Sequence, residues 1–277
     1  MLKTRVITAL ALMALLLPSI FYLPQSAWSL LIAGFIGIAG WEWGALLAWK
    51  PRARLVLGAV AAALCALLGL CFPAAIGADG FLPAAPWVQL FYGASLLFWA
   101  LLIPFWLRQK WSLGGVFGLL VGAVVLLPTW LAMVQLRALG PGVLLAVFAV
   151  VWMADIAAYF AGRAFGKRKL APTISPGKTW EGALGAIIGV QVYGWLMYHF
   201  FFSGVLAMPA WGGLLLVLTA VSIIGDLFES LLKRKAGIKD SSNILPGHGG
   251  VLDRIDSLTS TLPVVAFFWL SFLHAAA

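Results

Sequence analysis

Asp226 and Glu229 stand three residues apart in an apolar run that ends at Leu232, with Lys233 one turn further on. On a helix that spacing places both carboxylates on one face. Ionised groups inside an apolar segment are costly, so they face a polar cavity and find a cation or a basic partner, which marks a candidate site. An ion pair with Lys233 near the end of the segment is the plainer alternative. The loop that follows carries Lys239, Asp240, Pro246-Gly247-His248-Gly249-Gly250, Asp253, Arg254 and Asp256. Its glycines let backbone amides converge on a phosphate, and Asp253 and Asp256, one turn apart, are hard oxygen donors suited to magnesium. A glycine-rich turn whose aspartates cap a helix would produce the same pattern. His248 is a lone loop histidine, and its role is left open.

A second polar stretch, Ser175-Pro176-Gly177-Lys178-Thr179-Trp180-Glu181-Gly182, precedes another apolar run. Ser175 and Lys178 are able to bind phosphate, and Glu181 to pair with Lys178 or a metal. A helix entrance with an early proline, an acid in its first turn and Trp180 as an interfacial anchor is equally open. Asp155 lies inside a further apolar run with Tyr159 four residues on, and is again expected to be functional.

The elements that must position these groups are set by composition. Of 277 residues, 63% are hydrophobic and 10% charged, and the mean hydropathy is +1.04; soluble domains carry about 25% charged residues. In hydrocarbon every backbone polar group needs an internal partner, and the apolar runs are helix-length, so the fold expected is all-α, a polytopic membrane helix bundle. Spans are expected near 6–23, 27–48, 55–76, 87–107, 113–135, 142–162, 182–203, 210–232 and 258–276, about nine transmembrane helices. Pro18 and Pro24 are expected to break the first two into a tight hairpin.

The net charge of +9 does not imply nucleic acid, because Lys and Arg lie between apolar runs instead of on one basic face. With nine spans and a cytoplasmic N-terminus, every Lys and Arg except Arg137 falls in a cytoplasmic segment, above all in the loops 163–181 and 233–257. Those loops are therefore expected to face the cytoplasm. Lys3 and Arg5 before the first apolar run also fit a signal peptide, but no small-x-small cleavage site follows, so a retained helix is expected. Cys65 and Cys71 match neither a metal site nor a disulfide framework and are expected to be buried thiols. Acids concentrate late: before residue 155 there are only Glu42 and Asp79. The chain accordingly divides into N-terminal transmembrane helices, 1–140, and a C-terminal catalytic region, 141–277.

The stretch Ser230-Leu231-Leu232-Lys233-Arg234 through Lys239-Asp240 to Pro246-Gly247-His248-Gly249-Gly250-Val251-Leu252-Asp253-Arg254-Ile255-Asp256 resembles the signature of phosphatidate cytidylyltransferases (CDP-diacylglycerol synthases). The 175–182 segment and Asp155 with Tyr159-Phe160 look like further family elements. One departure is Gly177, where many relatives are expected to have a second lysine. The resemblance implies a bacterial inner-membrane enzyme, its active site facing the cytoplasm, that joins phosphatidic acid and CTP into CDP-diacylglycerol and pyrophosphate. It implies Asp226 and Asp253 as principal ligands of a two-cation site containing Mg2+, with Asp256 and Glu229 as further ligands. Lys233, Lys239 and Arg254 are assigned to catalysis, and Ser175, Lys178, Arg234, His248, Gly249 and Gly250 to substrate binding. Membrane lipids, and a second copy of the chain, are the other candidate partners.

The rival from another class is an ion or solute transporter using its intramembrane carboxylates. Acids and glycines gathered on one side, and no inverted repeat, weigh against it.

Overall fold

Proline and small residues punctuate the described residues into ten α-helices. The structure, a computed structural model, describes residues 2–78 and 86–273; Asp79 lies outside them. The helices are α1 (Leu2–Tyr22), α2 (Gln25–Leu46), α3 (Pro51–Cys71), α4 (Pro86–Leu97), α5 (Ile103–Gln109), α6 (Gly115–Ala138), α7 (Pro141–Phe165), α8 (Trp180–Met197), α9 (Met208–Lys235) and α10 (Leu252–Phe268). A wide π-helical turn, Phe98–Leu102, joins α4 and α5 into one rod, so the helices make nine rods. Eight of these are long and apolar enough to cross a membrane. The ninth, α10, is 17 residues long and continues through a π-helical turn, Trp269–Leu273.

The hairpin expected after α1 forms, but only one of the two prolines makes it. Pro24 is the N-cap of α2, whereas Pro18 lies inside α1. A proline inside a membrane helix is tolerated when nearby hydroxyls help satisfy the backbone, and Ser19 Oγ donates to Leu15 O at 2.6 Å beside it. Pro128 in α6 has the same companion, Thr129 Oγ donating to Val125 O at 2.6 Å.

Packing follows membrane rules, in which small residues let helix backbones approach. Gly37, Gly40 and Gly44 of α2 meet Gly58, Ala61, Ala62 and Arg54 of α3, and Gly182, Gly185 and Gly189 of α8 meet Ala157, Ala158, Ala161 and Gly162 of α7. Leu55, Val60 and Leu67 on α3 and Leu184, Ile188 and Val192 on α8 stay outward and exposed, as lipid-facing surfaces should. Cys65 is buried, but Cys71, the last residue of α3, is exposed, and both thiols are free; the expectation of two buried thiols is corrected for Cys71, where the helix end turns outward.

Long-range hydrogen bonds define the two ends of the bundle. At one end Arg137 donates from Nε to Ile20 O at 3.0 Å, from Nη1 to Gln25 Oε1 at 2.7 Å, and from Nη2 to Leu23 O. Gln25 Nε2 donates in turn to Ile76 O and Val134 O. At the other end Thr8 Oγ1 of α1 donates to Pro246 O at 2.9 Å, and Glu42 of α2 reaches the start of α10. The two long inter-helix segments lie at this second, polar end. The first was expected as loop and contains an antiparallel hairpin of β1 (Lys169–Ala171) and β2 (Ser175–Thr179). The second is shorter than expected, since α9 runs to Lys235 and α10 begins at Leu252.

Candidate functional site

The carboxylates of α9 are aimed by what lies on its opposite face. Phe228, between Asp226 and Glu229, is 2% exposed, and its ring meets Trp99 and Trp106 edge-on at 5.7 and 5.5 Å. Such aromatic packing fixes helix rotation. Asp226 is thereby turned toward α7 and the hairpin, while Glu229 and Lys233 point toward α10.

Asp226 closes one side of a cavity of about 440 Å³. Asp155, Tyr159 and Arg163 of α7 and Lys178 of β2 supply its other polar groups, and Ala154, Ala158, Gly162, Gly182, Ala183 and Ala186 form an apolar wall. Lys178 Nζ lies 2.5 Å from Asp226 Oδ2, and Ser230 Oγ donates to Asp226 Oδ1 at 3.2 Å. Arg163 Nη1 donates to the Tyr159 hydroxyl at 3.1 Å. Arg254 is exposed, yet close enough for its charge to act on Asp155.

Local sequence explains how the hairpin presents Lys178. Thr179 is the N-cap of α8, its side chain accepting from Gly182 N at 3.1 Å, so β2 ends where the helix begins. Glu181 accepts from Lys167 N and Arg168 N at 3.1 and 3.2 Å, and its Oε1 lies 3.3 Å from Arg168 Nε. Glu181 is thus a tie for the hairpin base, and among the described residues it makes no ion pair with Lys178, which pairs with Asp226 instead.

Next to the cavity lies a second cluster. Lys233 Nζ is 2.7 Å from Asp253 Oδ1 and 3.4 Å from Glu229 Oε1. Asp253 Oδ2 accepts from Ser241 N, Ser241 Oγ and Gly250 N at 2.9, 2.9 and 2.8 Å. Asp253 thus holds the turn before α10 and pairs with Lys233, while of the two α9 acids only Glu229 pairs with Lys233. Glu229 is buried, and apart from the 3.4 Å ion pair with Lys233 neither of its oxygens has a hydrogen-bond partner among the described residues. The carboxyl beside it is Asp256, near enough for the two to interact. Two carboxyl groups placed near each other in a buried site are eased by a proton or a cation between them.

The expected residues thus fall into three groups. Asp226 and Lys178 face the cavity, and Glu229, Lys233, Asp253 and Asp256 form the adjoining cluster. Ser175, Arg234, Lys239 and His248 line neither, and Arg234 and Lys239 are exposed. Gly247 (φ +77°) and Gly249 (φ +84°) adopt left-handed backbone, which glycine alone adopts cheaply. A Cβ at Gly249 would also stand 2.7 Å from Asp253 Oδ2. Among the described residues no three His, Cys, Asp or Glu side chains converge as a ready-made metal centre. A hard divalent cation fits nonetheless: Mg2+ is commonly held by one or two carboxylates and completed by substrate phosphates and water.

A profile of the cytidylyltransferase family matches residues 3–272. The chain belongs to the cytidylyltransferase family. It is 40% identical over 275 residues to the phosphatidate cytidylyltransferase of Pseudomonas aeruginosa, covering 96% of each chain. It is 35% identical over 291 residues to that of Haemophilus influenzae, covering 97% of this chain and 99% of the relative. A segment of 124 residues, 44% of each chain, is 52% identical to the phosphatidate cytidylyltransferase of Brucella suis. Membership in this family removes the ground for the transporter reading.

Sequence reasoning passed over Glu42, which the structure brings against the loop before α10. Its Oε1 accepts from Ser242 Oγ at 2.6 Å and Val251 N at 2.9 Å, and its Oε2 from Leu252 N at 2.6 Å. An acid inside an apolar span was the available signal.

Proposed function

We propose that the protein transfers the CMP group of CTP to phosphatidic acid, forming CDP-diacylglycerol and releasing pyrophosphate, at the cytoplasmic face of a bacterial inner membrane. The observation that carries this reading is the Lys178–Asp226 pair at a cavity with one charged side and one wall of alanine and glycine. Such a cavity suits a phosphate that arrives on a lipid. A phosphate oxygen of phosphatidic acid attacks the α-phosphorus of CTP; that P–O bond forms as the bond from the α-phosphorus to the oxygen bridging to the β-phosphorus breaks. The monoester oxygen is already nucleophilic near neutral pH, so the protein's work is alignment and charge stabilisation.

Lys178 and Arg163 are placed to hold phosphate oxygens, with Tyr159 orienting Arg163. One or two of the carboxylates Asp226, Glu229 and Asp256 would hold Mg2+, with Asp253 beside them through Lys233; bound there, the cation would supply the positive charge that two polyanions need to approach. Glu229, buried with only the Lys233 ammonium at 3.4 Å as partner among the described residues and a carboxyl beside it, supports that assignment. Arg234, Lys239 and Arg254, exposed on the same end, are proposed to meet the phosphates of incoming CTP. The cytoplasmic placement, N-terminus included, rests on Lys and Arg gathering at this end, as cytoplasmic segments do.

Purified protein given Mg2+, CTP and phosphatidic acid should release pyrophosphate and form a cytidine-linked lipid. Failure to form that lipid across several divalent cations and acyl chains would sink the proposal.

A further inference from the structure

Glu42 lies in α2, has no exposed surface, and makes no ion pair among the described residues. A buried carboxylate without a counter-ion persists only where several donors are aimed at it. All three of its donors lie at least 200 residues away in sequence. Two of them, Val251 N and Leu252 N, are amides at the N-terminus of α10, where a negative charge is favoured.

The pattern of acceptance interlocks with that of Asp253. Ser241 donates to Asp253 and Ser242 to Glu42; Gly250 donates to Asp253 and Val251 and Leu252 to Glu42. Two carboxylates from distant parts of the chain thus clamp residues 241–242 against 250–252 from opposite sides. Gly250 has no room for a side chain, since a Cβ there would overlap Ser241 Oγ and the Glu42 carboxylate. The clamp sets the first turn of α10, which carries Asp253 and leads directly into Asp256.

We propose that Glu42 is a positioning residue for the transfer site. It fixes where Asp253 and Asp256 stand against Asp226 and Glu229, without touching substrate. The inference deepens the transferase reading and rests on it.

Glu42→Gln keeps the side-chain shape but turns an NH2 group toward one of three donors. The expected result is a fall in kcat of about tenfold, and a rise of about tenfold in the Mg2+ concentration giving half-maximal rate, as when a group supporting metal ligands is lost. KM for phosphatidic acid should hold. Hydrogen–deuterium exchange of amides 241–252, followed without metal or substrate, should quicken. Gln135→Ala is the control: Gln135 accepts from Tyr92 and donates to Ala75 O at the opposite end, so this variant should lower thermal stability yet leave Mg2+ dependence and loop exchange alone. Wild-type values of both readouts in Glu42→Gln would overturn the proposal, as would the same shifts in Gln135→Ala. If Glu42→Gln is not recovered folded, Ser242→Ala removes one donor and should shift both readouts in the same direction; unchanged values overturn the proposal. An inactive wild type would sink the transferase reading instead, and the exchange comparison would still decide the clamp.

Discussion

The Lys178 ammonium sits 2.5 Å from Asp226 Oδ2 and ties the β-hairpin to the middle of the polar end across the cavity. Neither residue is more than half exposed, with side-chain exposures of 25% and 29%, so the pair is held where substrate phosphates would compete for the lysine and a cation for the aspartate. Asp226→Asn keeps the shape and removes the charge. Turnover should fall about a hundredfold or more, the scale of losing a preorganised electrostatic group, while membrane insertion and thermal stability stay close to wild type. Near-normal pyrophosphate release from the variant would refute a role for Asp226 in holding the cation.

Asp253→Asn should behave differently, because that carboxylate carries structural load as well. Its Oδ2 accepts three hydrogen bonds and its Oδ1 faces Lys233. An amide nitrogen turned to either side would face donors, leaving buried groups unsatisfied at a cost of about 1–3 kcal/mol. Loss of activity should therefore come with a lower melting temperature, which Asp226→Asn lacks. Equal thermal stability in the two variants would contradict the clamp geometry.

That contrast shows where sequence was readable. The three-residue spacing of Asp226 and Glu229 on an apolar helix, and the glycines beside Asp253, are local patterns whose physics can be argued from a few turns of chain. The partner of Asp226 was not readable: Lys233, four residues from Glu229, was the nearby base, but Phe228 rotates the helix so that Lys233 serves Glu229 and Asp253 while Asp226 meets Lys178. Glu42 escaped for the same reason, its donors being defined only once α2 and α10 meet. The hairpin at 169–179 was hidden because three-residue and five-residue strands leave too short a pattern beside a helix cap.

Ile244, 45% exposed in the loop between α9 and α10, offers a test of sidedness. In a protein with Cys71 replaced by serine, to remove the exposed native thiol at the far end, Ile244→Cys should react with an impermeant maleimide only from the cytoplasmic side. Cys65 is buried and should stay silent. Labelling of intact cells from outside would reverse the orientation inferred from the placement of Lys and Arg.

Arg137 is the single basic residue expected on the outer side, and its bonds explain why it is tolerated there. Its guanidinium donates to Ile20 O and Leu23 O near the C-terminus of α1 and to Gln25 Oε1 at the start of α2, so a fixed cation meets the negative end of a helix dipole and closes the α1–α2 turn onto α6. The ring of Trp28 lies 5.9 Å from its guanidinium carbon. Arg137→Met keeps much of the side-chain bulk but leaves those acceptors without a donor, which should cost about 2–3 kcal/mol and lower the melting temperature. The cavity and the Glu42 clamp lie at the opposite end, so kcat and the Mg2+ requirement of the folded variant should match wild type. A change in Mg2+ requirement without loss of stability would show that the two ends are coupled, against the separation of a structural end from a chemical one.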